Sequence, residues 1–163
     1  QFDELDFLDS VLGILRETGV KPSMLEFEIT ESLLLQQAQY TVDVLEQFSQ
    51  QGIRIALDDF GTGYSSLSYL KRFPINTIKI DRSFVRDVPN DQGDAEIVKA
   101  ILAMAHSLRI DVVAEGVETV EQEAFLREAG CEMLQGYLHG KPMPLAEFSS
   151  KFFAAGKRSK VSS

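Results

Sequence analysis

With 163 residues, 44% hydrophobic and 25% charged, the chain has the usage of a soluble globular domain with room for one sizeable core. A formal net charge of −9 argues against extended DNA or RNA as a partner, because phosphate backbones select basic surfaces. No apolar run reaches the roughly 18 residues of a membrane helix, the acidic opening QFDELDFLDSVLGIL lacks signal-peptide character, and a lone Cys131 excludes an internal disulfide and fits a reducing, cytoplasmic setting.

Leu5, Leu8, Val11, Leu12 and Leu15 follow helical spacing up to a stop at Gly19. Leu25–Thr30 (LEFEIT) alternates as a strand does, and a helix is predicted from about Ser32 to Gln50, closed by Gly52. A strand over Arg54–Phe60 (RIALDDF) leads into a short helix through Tyr64–Phe73, and Thr77–Asp81 (TIKID) is the third strand. A longer helix covers about Asp94–Leu108, with Ile97, Ile101, Leu102 and Leu108 on one face. Asp111–Glu115 (DVVAE) is the fourth strand. Thr119 and Gln122 then have capping-box spacing, opening a helix that Gly130 closes. Glu132–Leu138 is predicted as a fifth strand, Pro144–Ala155 as the last helix, and the polar tail from residue 156 to 163 as disordered. Strands alternating with helices, with no linker between them, imply one α/β domain, or part of one, over residues 1–155, built on a parallel sheet.

Ionisable and amide side chains recur at the C-terminal ends of the strands: Glu28, then Asp58 and Asp59, then Lys79 and Asp81, then Glu115, then Gln135. Alternation puts Lys79 and Asp81 opposite Ile78 and Ile80, and Glu28 opposite Phe27 and Ile29. Such a rim is where barrels of the TIM type do chemistry, and open doubly wound sheets bind ligands there too, so periodicity leaves both architectures open. Singly, each residue has an ordinary explanation. Asp58-Asp59 before Gly61, Thr62 and Gly63 suits turn and cap chemistry, Glu118 suits a helix N-terminus, and Gln135, His106 and His139 carry little by themselves. Their joint occurrence on successive strands is what points to a site.

Carboxylates without histidine or cysteine are hard donors for Mg²⁺, Mn²⁺ or Ca²⁺. Adjacent Asp58 and Asp59 face one site only if the strand ends or bends there, and carboxylates converging in this way suit a two-metal centre. Metal ions would also reconcile an acidic chain with a phosphate ester. Lys79 would then supply fixed positive charge, and Glu115 a proton acceptor or a further ligand. Enolase-type proton abstraction uses similar residues and stays open at this level.

The segments FEITES (27–32), DDFGTGYSSLSYL (58–70), IKIDRSFV (78–85), VVAEGVET (112–119) and QGYLHGKPMP (135–144) resemble, in order and spacing, the successive motifs of EAL domains, over about residues 5–148. The resemblance implies a TIM-like (β/α) barrel that hydrolyses cyclic di-GMP to linear pGpG with Mg²⁺ or Mn²⁺. It assigns Glu28, Asp58 and Asp59 to metal binding, and Lys79 to the nucleophilic water. Glu115 becomes a metal-site residue or general base, and Glu118 and Gln135 further active-site positions. Glu31 anchors the loop Gly61–Ser66, including Thr62 and Gly63, which shapes metal binding and a homodimer contact. The Glu-Ala-Leu motif that names the family, and its later asparagine, are not in this sequence. The expectation is therefore the C-terminal part of the domain, about five strands of an incomplete barrel, inactive alone and active within its parent. The parent is expected to be cytoplasmic or membrane-anchored, with sensor or GGDEF-type domains beside this one. The alternative within the family is a catalytically inactive receptor or interaction module.

Overall fold

A computed structural model describes residues 7–31, 38–63, 70 and 72–153. The start of the helix predicted from Ser32, the short helix through Tyr64–Phe73 apart from its last residues, and the polar tail lie outside the described residues. Helix α1 (Phe7–Thr18) leads through a 3-10 turn at Pro22–Met24 into β1 (Glu26–Thr30), followed by α2 (Ala38–Gln50) and β2 (Arg54–Phe60). Next come β3 (Thr77–Ile80), the four-residue α3 (Arg82–Val85), α4 (Gln92–Leu108), β4 (Asp111–Glu115), α5 (Val120–Glu128), β5 (Met133–Gln135) and α6 (Leu145–Phe152). The five strands pair in parallel in the order β1-β2-β3-β4-β5, which leaves β1 and β5 as edges of an open sheet.

One sheet face is apolar. Ile29, Ile55, Leu57, Ile78, Ile80 and Ala114 are buried against Leu45, Phe48, Val98, Ile101, Leu102 and Leu126 from the helices. Phe7, Phe27 and Phe48 close its β1 end, with Phe27 and Phe48 ring centroids 4.9 Å apart. The other face carries the alternate residues: Glu26 and Glu28, then Arg54, Ala56 and Asp58, then Thr77 and Lys79, then Asp111, Val113 and Glu115. Strand periodicity therefore separates a packed core from a polar face along every strand.

Several expected boundaries move. Asp81 is not in the strand; its carboxylate accepts from the Ser83 amide and caps α3, an element the periodicity of so short a helix cannot reveal. The fifth strand is three residues long rather than seven, because Gly136–Leu138 turns away to bond the loop after β4, where the Leu138 amide donates to the Val117 carbonyl. Ile97 does not join the buried face of α4; it is 41% exposed, while Ala95, Val98, Ile101, Leu102 and Ala105 face the core.

A Cβ on Gly136 would overlap the backbone nitrogen and oxygen of Val117, so this close approach requires glycine. Gly136→Ala is expected to lower stability by about 2 kcal/mol or more, the upper range of overpacking costs, in urea denaturation. A loss under about 0.5 kcal/mol, the size of an ordinary surface change, would show that the loop yields freely.

Candidate functional site

Parallel register brings the C-terminal ends of β1 to β4 level with one another, and alternation turns Glu28, Asp58, Lys79 and Glu115 to the same face. The Lys79 Nζ lies 2.9 Å from Glu28 Oε1, 3.1 Å from Asp58 Oδ1 and 2.7 Å from Glu115 Oε1. An ammonium group has three N–H donors, and here each has a carboxylate. Only 7% of the lysine side chain is exposed, against 54% for Glu28, 24% for Asp58 and 19% for Glu115, so the charge sits under a carboxylate mouth open to solvent. Burial pushes the Lys79 pKa down. Hydrogen bonds to Glu115, Glu28 and Asp58 outweigh it and hold the ammonium above its ordinary range.

The Asp pair is resolved by a bend. The β2–β3 register shifts between Leu57 and Phe60, and Asp59 takes a left-handed backbone, φ 55°. The Asp58 carboxylate accepts from the Asp59 amide at 3.1 Å, and Thr62 donates its hydroxyl to the Asp59 carbonyl at 2.9 Å. Asp59 is left exposed beside the cluster. Beyond it, Gly61 (φ 98°) rests on Phe84 of α3, and Gly63 lies against the buried Glu31 carboxylate, which a Cβ would approach to 3.1 Å. The loop thus sits between Glu31 and α3, and its part 64–66 lies outside the described residues.

After β4, Gly116 (φ 72°) passes over α3 so closely that a Cβ would come within 2.6 Å of Arg82 Cβ. Val117 is buried, its amide bonded to the Gln135 carbonyl. Glu118 follows with its side chain exposed, and its amide donates to Gln122 Oε1 at 2.7 Å. The capping box inferred from Thr119 and Gln122 is formed. Gln135 pairs with Glu115 in register on β5. Glu28, Asp58, Lys79 and Glu115 are therefore joined in one cluster. Asp59, Glu118 and Gln135 stand around it on the same rim, and Glu31, Gly61, Thr62 and Gly63 form its flank.

All donors facing the cluster are carboxylate oxygens, which suits a hard divalent cation, and the Lys79 ammonium is a cation already coordinated by three of them. Among the described residues, no three acidic or histidine side chains are gathered as a ready cage; Glu28, Asp58 and Glu115 meet around the ammonium rather than around one another. Glu28, Asp58 and Asp59 have the chemistry and the exposure to hold a metal.

Two further features lie outside the Lys79 cluster, the second reaching the rim at Gln135. At the N-terminal ends of the strands, Arg54 bonds Glu26 at 3.1 Å, Asp111 at 2.6 Å and Thr77 at 3.1 Å, and Thr77 bonds Glu26. Along the β5 edge, a groove of about 670 Å³ is lined by Met133, Tyr137, Met143, Phe148 and Phe152; it is largely apolar and lacks the carboxylates. The residues that sequence reasoning missed are Asp81, Phe84 and Gln122 as supports of the rim. The Asp-x-Ser spacing at 81–83 was the available signal for the first, and only tertiary contact reveals the other two.

Against known proteins, the EAL domain family model matches residues 1–142. The cyclic di-GMP phosphodiesterase NbdA of Pseudomonas aeruginosa is 50% identical over 139 residues, 85% of this chain and 18% of its own length. The chain spans about a fifth of the length of the curated relatives it matches. The structure of the Pseudomonas aeruginosa MucR phosphodiesterase with c-di-GMP superposes at a TM-score of 0.86 with 46% identity, covering 90% of this chain and 60% of that one. A manganese and c-di-GMP complex of Klebsiella pneumoniae BlrP1 gives 0.79 with 34% identity, over 84% and 35% of the two chains. No helix among the described residues is long and apolar enough to cross a membrane. On the family match, and on half-identity to a relative across most of the present sequence, this chain belongs to the EAL domain family, whose TIM-like barrel supplies the parallel strand–helix alternation observed here.

Proposed function

We propose that this chain is part of a metal-dependent phosphodiesterase, active within its parent protein, that hydrolyses cyclic di-GMP to linear pGpG with Mg²⁺ or Mn²⁺ bound at the rim. The observation that carries this reading is the convergence of Glu28, Asp58 and Glu115 on the Lys79 ammonium, from four neighbouring strands. The relatives' names and complexes supply the substrate class: NbdA is named a cyclic di-GMP phosphodiesterase, and MucR and BlrP1 are seen with the dinucleotide.

Glu28, Asp58 and Asp59 would hold the metal, which when bound supplies Lewis acidity and a more acidic water. The remaining chemistry belongs to the chain. Lys79 keeps a full positive charge in a water-poor position, where it stabilises negative charge building on the phosphoryl oxygens as the water adds. Glu115, one strand away and bonded to the same ammonium, has a carboxylate placed to take the water's proton. The new bond is water oxygen to phosphorus, and the ester bond to the departing ribose oxygen breaks, that oxygen leaving with a proton. Glu118 and Gln135, exposed beside Glu115, contact the substrate. Homodimerisation through the loop that begins at Gly61, and neighbouring sensor or GGDEF-type domains, belong to the same proposal; MucR is named a bifunctional cyclase and phosphodiesterase.

The first test, made on the parent protein, is metal removal. Chelation is expected to abolish pGpG formation from cyclic di-GMP, Mn²⁺ or Mg²⁺ to restore it, and Lys79→Met to lower kcat roughly 10²- to 10³-fold with metal present. Undiminished turnover by Lys79→Met, or turnover without any divalent ion, refutes the reading; tight binding without hydrolysis identifies a receptor instead.

The second test is alkaline stability. Because the native ammonium keeps its proton above the ordinary lysine value, the unfolded chain binds fewer protons than the native one once pH passes about 10.4. The stabilisation from Lys79 is complete below that pH and falls as pH rises through the native value. Urea midpoints from pH 9 to 12 should fall more steeply for wild type than for Lys79→Met. Parallel slopes would mean that the ammonium is not held.

A further inference from the structure

We propose that Gln122 is a positioning residue, which orients Glu118 for the substrate by fastening the loop after β4 to α3. The inference rests on the phosphodiesterase reading, and it concerns a residue whose sequence signal is only that of a helix cap.

Gln122 is 5% exposed, and its side chain makes three hydrogen bonds. Its Oε1 accepts from the Glu118 amide at 2.7 Å and the Thr119 amide at 3.0 Å, and its Nε2 donates to the Arg86 carbonyl at 2.9 Å. Capping α5 requires only the exchange with Thr119. The bond to Arg86, 36 residues away, adds nothing to that helix; it joins the loop to the residue that ends α3. A neutral amide of this length can accept from two N–H groups through its oxygen while donating to a carbonyl through its nitrogen, whereas an ionised carboxylate and a thioether have no donor.

The effect of Gln122 is local for a structural reason. The inner half of the loop is held from the other side by β5, through the Val117 amide and carbonyl and the close approach of Gly136. Glu118 and Thr119 have no such clamp, and their amides end on Gln122. The platform beneath is firm: α3 is capped by Asp81, touches Gly116 through Arg82 and supports Gly61 through Phe84. Gln122 therefore sets where the Glu118 carboxylate starts, relative to a support that also carries the loop of Asp59.

The test is a mutant cycle on the metal-loaded parent protein. Gln122→Met is expected to lower kcat on cyclic di-GMP roughly 10- to 100-fold, the cost of about an ångström of misplacement, with KM nearly unchanged. Glu118→Gln combined with Gln122→Met should be no slower than Glu118→Gln alone, because both act through one carboxylate. Thr119→Ala, which weakens the cap but leaves the amide of Gln122 in place, should lower the melting temperature comparably and leave kcat at the wild-type level. Amide exchange over 116–119 should rise in Gln122→Met while exchange in α4 stays unchanged. Additive losses in the double variant, or an equal kcat loss in Thr119→Ala, overturn the positioning role. Should the wild type not turn over cyclic di-GMP, the phosphodiesterase reading falls separately; unchanged exchange over 116–119 then overturns the positioning role, and raised exchange upholds it.

Discussion

Three carboxylates from three strands cannot be brought to one point without a cation between them. At 4 Å and an effective dielectric near 20, two like charges repel by about 4 kcal/mol, a large part of the stability of a small domain. The ammonium of Lys79 removes that repulsion and is itself made tolerable in burial by saturating its three donors. The register of β1 to β4 and the bend at Asp59 both converge on this contact. Under the proposed function, cations held by these carboxylates would also reconcile a chain of net charge −9 with a phosphate ester.

The two ends of the polar sheet face use different cations for different work. Arg54 lies across the N-terminal ends, where its rigid fork reaches Glu26, Thr77 and Asp111 from neighbouring strands. A guanidinium suits that position because its planar donors are pre-arranged for several fixed acceptors. At the C-terminal end the cation is a lysine, a compact charge on a flexible stem whose donors reorient. Ala56 and Val113, small and apolar, lie between the two. A rigid brace at one end and an adaptable charge at the other are what a strand assembly needs if chemistry is confined to one rim.

Much of this was legible in the amino-acid order. The strands over 54–60 and 111–115 follow directly from alternation, the capping box from the spacing of Thr119 and Gln122, and the bend at Asp59 from the impossibility of two adjacent strand residues facing one side. The joining of Glu28, Asp58, Lys79 and Glu115 was expected from their common place at strand ends. What escaped has physical causes. Helix α3 is one turn long, too short to show a period. Residues 136–138 keep a strand-like composition but leave the sheet, because Val117 offers the better backbone partners. Ile97 fits the apolar face by spacing yet is exposed, since burial on a helix depends on which neighbours arrive.

Besides the Lys79 cluster, the rim is held by close approaches to three glycines. Gly61 on Phe84, Gly116 on Arg82 and Gly136 on Val117 are contacts from which any Cβ would have to be displaced, and two of the three involve α3. A one-turn helix has negligible stability of its own. It persists because Asp81 caps its start, Arg86 closes its end against Gln122, and loops from both sides rest on it. The same element thus separates the Asp58–Asp59 bend from the Glu115–Glu118 loop by a fixed distance. Binding loops are ordinarily the least stable parts of a fold; here the loops that follow β2 and β4 both rest on α3, so displacing that helix would disturb both.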